Sequence, residues 1–220
     1  MGVALAGSGE VEATRAPERA GTSDRWRSAV GAPTDAAVLH IRQASPGMPH
    51  VMANTHPFQA DGMAFAHNGH AHPTSTLDAL VEAAGGPPVE GDTDSERYWS
   101  LVRAGVASGL PLGEALLAAA DRIASAATVT SLNALVLTPD ALVAVAWWHE
   151  PVILRAGDGE TDRDYRLWYR VAPDRVVVAS SYVADGGPAW RELPHGHALT
   201  IDRGTLVLRV TSVAEVPTAA

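Results

Sequence analysis

The amino-acid sequence predicts an α+β fold in which antiparallel sheets pack against a layer of helices. Short runs of strand-forming residues come in pairs separated by tight turns, and such hairpins produce antiparallel pairing. The segments with helical periodicity are confined to one stretch, between Pro73 and Ala126. The chain has 220 residues, of which 46% are hydrophobic and 19% charged, enough for a single globular domain with a substantial core.

The first part of the chain predicts little regular structure. Residues 7–33 are rich in Gly, Ala, Glu, Arg and Ser and have almost no apolar periodicity, so we expect a poorly packed lead-in with at most one edge hairpin. Two short strands are predicted next, over residues 38–42 and 63–67. In the first of them, the two-residue period of a strand places His40 and Arg42 on the same face.

Three helices are predicted in the middle of the chain, over residues 75–84, 93–106 and 113–126. Their apolar residues recur every three or four positions, as on the buried face of a helix. The second begins with Thr93 and Glu96 at the spacing of a capping box.

The rest of the sequence predicts strands in three hairpins, each built around a turn that contains Asp. The paired segments are 132–137 with 141–148, 165–171 with 176–182, and 198–201 with 206–210. These hairpins and the helical stretch together give two antiparallel sheets with a layer of helices.

The composition excludes several classes of chemistry. The formal net charge is −9, and the 16 basic residues are all arginine. No phosphate-neutralising patch is visible, so we expect no nucleic-acid partner and no membrane partner. The chain has no cysteine, which excludes disulfides, zinc–thiolate sites and a thiol nucleophile from these residues. No targeting or membrane-spanning segment is evident, and we expect a cytoplasmic protein.

The pair Asn68-Gly69 has two interpretations. Asn-Gly between alternating residues is a strong hairpin signal, and turn chemistry explains the pair fully. The alternative is an oxyanion hole, in which the Asn amide and a Gly backbone N–H aim two donors at one developing negative oxygen.

Arg42 and Asp94 are the candidate groups for binding a charged ligand. Acidic residues at a helix start are explained by the helix dipole, but Asp94 could also anchor a ligand ammonium group. Arg42 lies in a predicted strand, where its ordinary role is a solvent-facing edge position. Its alternative role is to donate a bidentate pair of hydrogen bonds to a substrate carboxylate.

The histidines allow a metal-site hypothesis, in which His56, His67, His70 and His72 supply imidazole ligands to zinc in an unrelated hydrolase. The strand period places His67 opposite His70 and His72, and no carboxylate completes a familiar spacing. We therefore predict no metal and no cofactor.

Six short stretches together resemble the class II glutamine amidotransferases, which are N-terminal-nucleophile hydrolases. The stretches are Leu39-His40-Ile41-Arg42-Gln43-Ala44-Ser45, Asn54-Thr55-His56-Pro57-Phe58, Phe65-Ala66-His67-Asn68-Gly69, Thr93-Asp94-Ser95-Glu96, and Val178-Ala179-Ser180-Ser181 with Trp190-Arg191-Glu192-Leu193-Pro194. The spacings from 42 to 68 and from 68 to 94 are both 26 residues. Within the family, the closest resemblance is to the small stand-alone branch that includes the ergothioneine-pathway γ-glutamyl hydrolases.

The resemblance implies a single domain over residues 1–220 with a four-layer αββα sandwich, incomplete at its N-terminus. It implies that Arg42 binds the α-carboxylate of glutamine or a γ-glutamyl group and that Asp94 binds its α-ammonium. Asn68 and the Gly69 backbone would form the oxyanion hole, and His67 would contribute to substrate binding. The implied partners are a glutamine or γ-glutamyl small molecule and a separate synthase subunit that could receive ammonia.

The sequence departs from the family at its nucleophile, which is a cysteine at the second position of the gene product. Here the second residue is Gly2, and no cysteine occurs anywhere. Two explanations are possible. In the first, which we favour, the reading frame is longer and begins with the missing cysteine. In the second, the nucleophile has been lost, and the chain is a non-catalytic module that binds a γ-glutamyl ligand or a partner. The chain as it stands is expected to be inactive in acyl transfer.

Overall fold

A computed structural model describes residues 1–7, 9–42, 49–148, 153–156, 159–162, 165–180 and 189–216. The strands in this part of the chain are β1 (Gly2–Ala6), β2 (Val11–Arg15), β3 (Ala36–His40), β4 (Phe58–Ala60), β5 (Met63–His72), β6 (Thr128–Leu137), β7 (Ala141–Ala146), β8 (Ile153–Ala156), β9 (Gly159–Asp162), β10 (Leu167–Ala172), β11 (Arg175–Ala179), β12 (Trp190–Leu193), β13 (His197–Asp202) and β14 (Leu208–Ser212). The helices are α1 (Asp24–Val30), α2 (Thr74–Ala83), α3 (Asp94–Ala107) and α4 (Leu112–Ala126).

A six-stranded antiparallel sheet, in the order β14-β13-β7-β6-β5-β4, forms the centre of the fold. Its two faces are apolar because successive side chains of a buried strand point to opposite sides. Along β5, Phe65 packs on the helical side, whereas Ala64 and Ala66 pack on the other. A sheet covered on both faces explains the near-continuous apolar runs in the sequence.

Helices α2, α3 and α4 cover one face of this sheet. Leu77, Val102, Leu116 and Ile123 are completely buried between the helices and the strands. The Tyr98 hydroxyl, also buried, donates a hydrogen bond of 3.1 Å to the Leu116 carbonyl and so joins α3 to α4. The three predicted helices are confirmed to within about one residue at each end.

Two three-stranded antiparallel sheets cover the opposite face, in the orders β2-β1-β3 and β11-β10-β12. Ala4 and Val38 of the first pack on β5, and Leu167 and Leu193 of the second pack on β7 and β13. Helix α1 contacts β1 and β2 and contributes a fourth layer. The predicted α+β architecture of antiparallel sheets and helices is confirmed.

The segment over residues 7–33 is better ordered than the sequence predicts. Strand β2 pairs with β1, which precedes this segment, and not with a second strand inside it; helix α1 was not predicted. Ser23 caps α1 by accepting a hydrogen bond from the Trp26 backbone N–H at 3.3 Å. Val11 and Ala16 are buried even though the segment lacks an apolar period. A short strand needs only one or two inward-facing residues, which is too little for periodicity to reveal.

The predicted hairpins are confirmed as β6–β7, β10–β11 and β13–β14. The β8–β9 hairpin and strand β12 were not predicted. Residues 181 and 182, at the end of one predicted strand, lie outside the described residues.

Candidate functional site

Asn68-Gly69 lies inside strand β5 and does not form the hairpin turn that its residue types indicate. Asn68 pairs with Asn133 and Gly69 with Leu132 of β6, and the register shifts between His70 and Ala71. Such β-bulges redirect side chains and occur frequently beside active sites.

Gly69 is required here by space and by backbone conformation. Its φ angle is +153°, and a Cβ atom at this position would lie 1.9 Å from the Ser131 carbonyl oxygen. Only glycine allows β5 and β6 to approach this closely. A close-approach requirement, rather than turn chemistry, therefore explains this half of the Asn-Gly pair.

Unlike the tightly packed Gly69, Asn68 is accessible to solvent. Its side chain is exposed and lines a groove of about 260 Å³ that also contacts Ala66, Leu135 and strands β3 and β11. An exposed amide at the floor of a groove can donate a hydrogen bond to a ligand atom there.

Asp94 is the first residue of α3 and is buried beside the bulge in β5. Its Oδ2 atom accepts a hydrogen bond of 2.7 Å from the Ala71 backbone N–H and lies 3.7 Å from Nδ1 of His70. The helix start is fixed by Thr93, whose hydroxyl accepts from the Glu96 backbone N–H at 3.2 Å. The Glu96 side chain accepts from the Glu90 and Gly91 N–H groups, so only half of the predicted capping box forms.

His67 lies on the helical side of β5, away from the Asn68 side chain. Its Nδ1 lies 2.9 Å from the Ser95 hydroxyl, and its Nε2 lies 3.2 Å from the Ser131 carbonyl oxygen. Ser95 is in turn 3.4 Å from Oδ1 of Asp94. These contacts position β5 against α3, and a direct contact of His67 with substrate stays a prediction.

Arg42 follows strand β3 and is half-buried. Its Nη1 donates a hydrogen bond of 3.0 Å to the backbone carbonyl of Asn54. It lines a second cavity, of about 590 Å³, together with Met1, Ile41 and Thr55. Residues 43–45, which complete the family-like stretch around Arg42, lie outside the described residues, as does Ser181.

Asn54 connects Arg42 to the start of α3. Its fully buried side chain accepts from the Asp92 backbone N–H at 2.9 Å and donates to the Asp92 carboxylate at 3.3 Å. Gly91 permits this contact, since a Cβ there would lie 2.4 Å from Oδ1 of Asn54. Asn54 was part of a family-like stretch in the sequence, but its bridging role depends on a contact 38 residues away and could not be inferred.

The electrostatics of Arg42 and Asp94 are coupled. Burial lowers the pKa of Arg42 from its ordinary value, and the carboxylate of Asp94 opposes this shift. Burial also lowers the pKa of His67, and Asp94 again acts in the opposite direction. Arg42 and Asp94 form no direct ion pair with each other, so each charge can pair with a ligand group of the opposite sign.

The structure therefore brings together some of the predicted residues more closely than others. Asp94 bonds to Ala71, two residues after Gly69 on β5, and Arg42 is linked to the start of α3 through Asn54 and Asp92. Arg42 and Asn68 line different cavities.

Two neighbouring histidines, the half-buried His40 and the buried His56, lie beside this region. The rings of His40 and His56 are 4.3 Å apart between centroids, and Nε2 of His40 lies 3.1 Å from the His67 carbonyl oxygen. Burial lowers the pKa of His40 to about 4 and lowers the pKa of His56 as well. These rings are neutral near pH 7.

The zinc hypothesis finds no support in the described part of the chain. His70 and His72 are neighbours, with ring centroids 5.4 Å apart, but His67 points to the helical side of the sheet. Across the described residues, no group of three or more His, Asp or Glu side chains is arranged to hold a metal ion.

Comparisons with known proteins point to one family. The family described as class II glutamine amidotransferases matches residues 25–219. No curated protein gives a significant match. None of the helices in the described ranges has the length and apolar character that crossing a membrane requires.

Solved structures show the same fold. A glutamine aminotransferase class-II domain protein from Silicibacter pomeroyi is 21% identical with a TM-score of 0.72, over 97% of this chain and 92% of that one. A predicted glutamine amidotransferase from Pseudomonas aeruginosa is 20% identical with a TM-score of 0.55, over 90% and 83%. The glutamine phosphoribosylpyrophosphate amidotransferase of B. subtilis is 16% identical with a TM-score of 0.66, and the matched region is 97% of this chain but 43% of that enzyme.

The family match covers nearly the whole chain, and the antiparallel sheets and helices agree with it. The chain belongs to the class II glutamine amidotransferase family.

Proposed function

We propose that this chain binds glutamine or a γ-glutamyl compound by its two charged ends and supports hydrolysis of the γ-amide through a thioester. The observation that carries the proposal is the linkage of Arg42 to the start of α3 through Asn54 and Asp92, with Asp94 bonded to β5, the strand that also presents the exposed amide of Asn68. The family membership supports glutamine as the ligand class.

In the proposed binding mode, Arg42 receives the α-carboxylate and Asp94 the α-ammonium. One Arg42 nitrogen is engaged by the Asn54 carbonyl, and the remaining guanidinium N–H groups face the ligand. Asp94 accepts one backbone hydrogen bond, which holds its carboxylate in place and leaves further lone pairs for an ammonium.

The proposed reaction places the γ-carbonyl oxygen between the Asn68 side-chain amide and the Gly69 N–H. A thiolate attacks the γ-carbon, and these two donors stabilise the negative oxygen of the tetrahedral intermediate. The C–N bond then breaks, ammonia leaves with the proton from the thiol, and a thioester remains. Water hydrolyses the thioester to a free γ-carboxylate and regenerates the thiol.

The thiol has to come from outside these residues, because the chain has no cysteine. We propose that it lies in polypeptide encoded upstream of Met1 in the same reading frame. The alternative is a non-catalytic module that retains only ligand or partner binding, and the lack of cysteine favours it as the second candidate. The upstream DNA distinguishes them: an in-frame start codon followed by a cysteine codon supports the enzyme, and an in-frame stop codon supports the module.

The fate of the ammonia is a further part of the proposal. In this proposal, the ammonia released here passes to a synthase on a separate chain, as glutamine amidotransferase family membership supports. Co-purification of such a chain, and ammonia-dependent product formation by it, would test this part.

The binding proposal is tested with ligands that each lack one charged end. Calorimetric titration of the chain compares L-glutamine with its deaminated analogue, glutaramate, and its decarboxylated analogue, 4-aminobutanamide. We expect each analogue to bind at least about tenfold more weakly, since a charge-assisted hydrogen bond contributes roughly 1.5–3 kcal/mol. Equal affinities for all three ligands would contradict the assignment of either charged group.

A further inference from the structure

A histidine stands beside the carboxylate that is proposed to receive the ligand ammonium. His70 directly follows Gly69 in β5, and its Nδ1 atom lies 3.7 Å from Oδ2 of Asp94. This separation is longer than a hydrogen bond, so the two atoms leave room for a third group between them. An ammonium has three N–H donors, and one such group can donate to both a neutral imidazole nitrogen and a carboxylate oxygen.

His70 is the exposed neighbour of the Asp94 carboxylate. The Ala71 backbone N–H and the Ser95 hydroxyl contact this carboxylate at 2.7 Å and 3.4 Å, and both residues are buried. The side chain of His70, in contrast, is 43% exposed, and that of Asp94 is 10% exposed. A ligand that reaches the carboxylate from solvent therefore passes the imidazole of His70.

The backbone of His70 is fixed by β6. His70 pairs with Ser131 at the last position before the register shift in β5, and its carbonyl accepts a hydrogen bond of 3.4 Å from the Thr130 hydroxyl. A side chain on a paired strand is held in one place relative to its neighbours. The position of the imidazole beside Asp94 is therefore built into the sheet.

Among the described residues, the charged or titratable side chains around His70 are Asp94 of α3 and His67 and His72 of β5. Arg42 acts on the same carboxylate from a longer distance. The facing part of β6 brings hydroxyls, and the first turn of α2 holds no acidic residue.

Two histidines next to Asp94 are thus exposed enough to change charge near neutral pH. Burial lowers the pKa of His67, which keeps that ring neutral. His70 and His72 are accessible, with ring centroids 5.4 Å apart, and histidine is the side chain that ordinarily changes its charge between pH 5 and 8. Of these two, His70 is the one in contact with the carboxylate.

We propose that His70 is a specificity-determining residue of the ammonium subsite, a role that rests on the proposed function. When the ring is neutral, its Nδ1 accepts a hydrogen bond from the ligand α-ammonium while Asp94 balances the charge. When the ring is protonated, it pairs with Asp94 and repels the ammonium. The ligand therefore binds in exchange for a proton, and its affinity falls as the pH falls.

The exchange is tested by calorimetric titration with L-glutamine at pH 7.5 and pH 6.0. We expect binding to be at least about threefold weaker at pH 6.0, whereas glutaramate, which has no ammonium, should not bind more weakly there. At pH 6.5 the binding of L-glutamine should release about 0.3–0.5 proton per ligand. Repeating the titration in buffers with different ionisation enthalpies measures this release.

Two substitutions separate the hydrogen bond from the charge. His70→Asn keeps an acceptor near the position of Nδ1 but does not titrate, so its affinity at pH 7.5 should stay within about twofold and should not fall at pH 6.0. His70→Ala has no acceptor and should bind about three- to tenfold more weakly at pH 7.5. His72→Asn is the matched control and should keep both the affinity and the pH dependence of the unmodified chain.

The outcomes distinguish this proposal from the proposed function. If L-glutamine binds but its affinity depends on pH equally in the unmodified chain and in His70→Asn, or not at all in either, the role of His70 is overturned and the proposed function stands. Equal losses of affinity at pH 7.5 in His70→Asn and His70→Ala would also overturn it. If the unmodified chain does not bind L-glutamine at either pH, the proposed function is contradicted and the ammonium subsite is overturned with it.

Discussion

The carboxylate of Asp94 accepts a hydrogen bond from the backbone N–H of Ala71, with 2.7 Å between Oδ2 and the nitrogen. This bond joins the first residue of α3 to β5 immediately after the register shift, two residues beyond Gly69. The acidic group proposed to hold the ligand ammonium is therefore fixed relative to the backbone proposed to hold the oxyanion. This rigidity is what a pocket for a small zwitterion requires.

Asp94→Asn tests the charge of this carboxylate separately from its structural role. The amide oxygen of Asn can still accept the Ala71 hydrogen bond, so we expect the free energy of unfolding to fall by less than about 1 kcal/mol. Affinity for L-glutamine should fall about tenfold because the attraction to the ammonium is lost. Urea denaturation and calorimetry measure the two effects. An unchanged affinity would remove Asp94 from the ligand site.

Arg42→Ala should weaken L-glutamine binding by about tenfold or more, since a guanidinium–carboxylate contact contributes roughly 1.5–3 kcal/mol. Arg209→Ala, at an exposed position of β14, is the matched control and should leave the affinity unchanged. In a form of the protein that carries the nucleophile, Arg42→Ala should raise KM more than it lowers kcat. Equal affinities in the two variants would contradict the assignment of Arg42.

Gly69→Ala should destabilise the fold and disturb the proposed oxyanion hole. A Cβ 1.9 Å from the Ser131 carbonyl oxygen and a φ angle of +153° both oppose any side chain. We expect the free energy of unfolding to fall by about 2–4 kcal/mol. Gly21→Ala, where nothing lies within 4 Å of the new Cβ, should change it by less than about 0.5 kcal/mol. Similar losses in both variants would show that the approach of β5 and β6 is not the constraint.

The buried histidines predict a loss of stability in mild acid. The unfolded chain takes up protons at histidine below about pH 6.5, whereas the folded chain does not until the pKa of His40, about 4, is approached. Between these values the unfolded state binds more protons, so the free energy of unfolding falls as the pH falls. Each such histidine contributes at most about 1.4 kcal/mol per pH unit, and the contribution is constant above pH 7.

The variant His56→Phe isolates one of these groups. Burial lowers the pKa of His56, and its ring nitrogens have no partner among the described residues. Replacement by Phe should therefore reduce the slope of stability against pH between pH 6 and pH 5, measured by urea denaturation at each pH. Val210→Phe, at an exposed position without a titrating group, should keep the slope of the unmodified chain. The same slope in all three proteins would contradict a neutral buried His56.

The parts of the fold that depend on local patterns were predictable. Helix α4 has a complete apolar stripe, and the β6–β7 hairpin flanks a turn with unambiguous residues, so both were found from the sequence. Helix α1 was missed because it has only seven residues and one buried side chain. Asn68-Gly69 was the opposite case: its residues favour a turn locally, but pairing with β6 places it inside a strand.

The sequence identified which residues belong to the candidate site, but it did not show how these residues are arranged in space. The residues Arg42, Asn68 and Asp94 were chosen by resemblance to the family, together with the chemistry that each could perform. The links between them run through Asn54 and through Ser95, whose partners are distant in sequence. Such tertiary contacts leave no periodic signal, so the partners of His67, Ser95 and Ser131, could not be inferred from the sequence.

The central claim is that Arg42 holds the carboxylate, and Asp94 the ammonium, of one amino-acid ligand. The most direct test is a calorimetric cycle in which the unmodified chain, Arg42→Ala and Asp94→Asn are each titrated with L-glutamine, glutaramate and 4-aminobutanamide. The account predicts that Arg42→Ala weakens glutamine and glutaramate but not 4-aminobutanamide, and that Asp94→Asn weakens glutamine and 4-aminobutanamide but not glutaramate. If each substitution weakens all three ligands equally, the two side chains do not hold the ends of the ligand and the account is wrong.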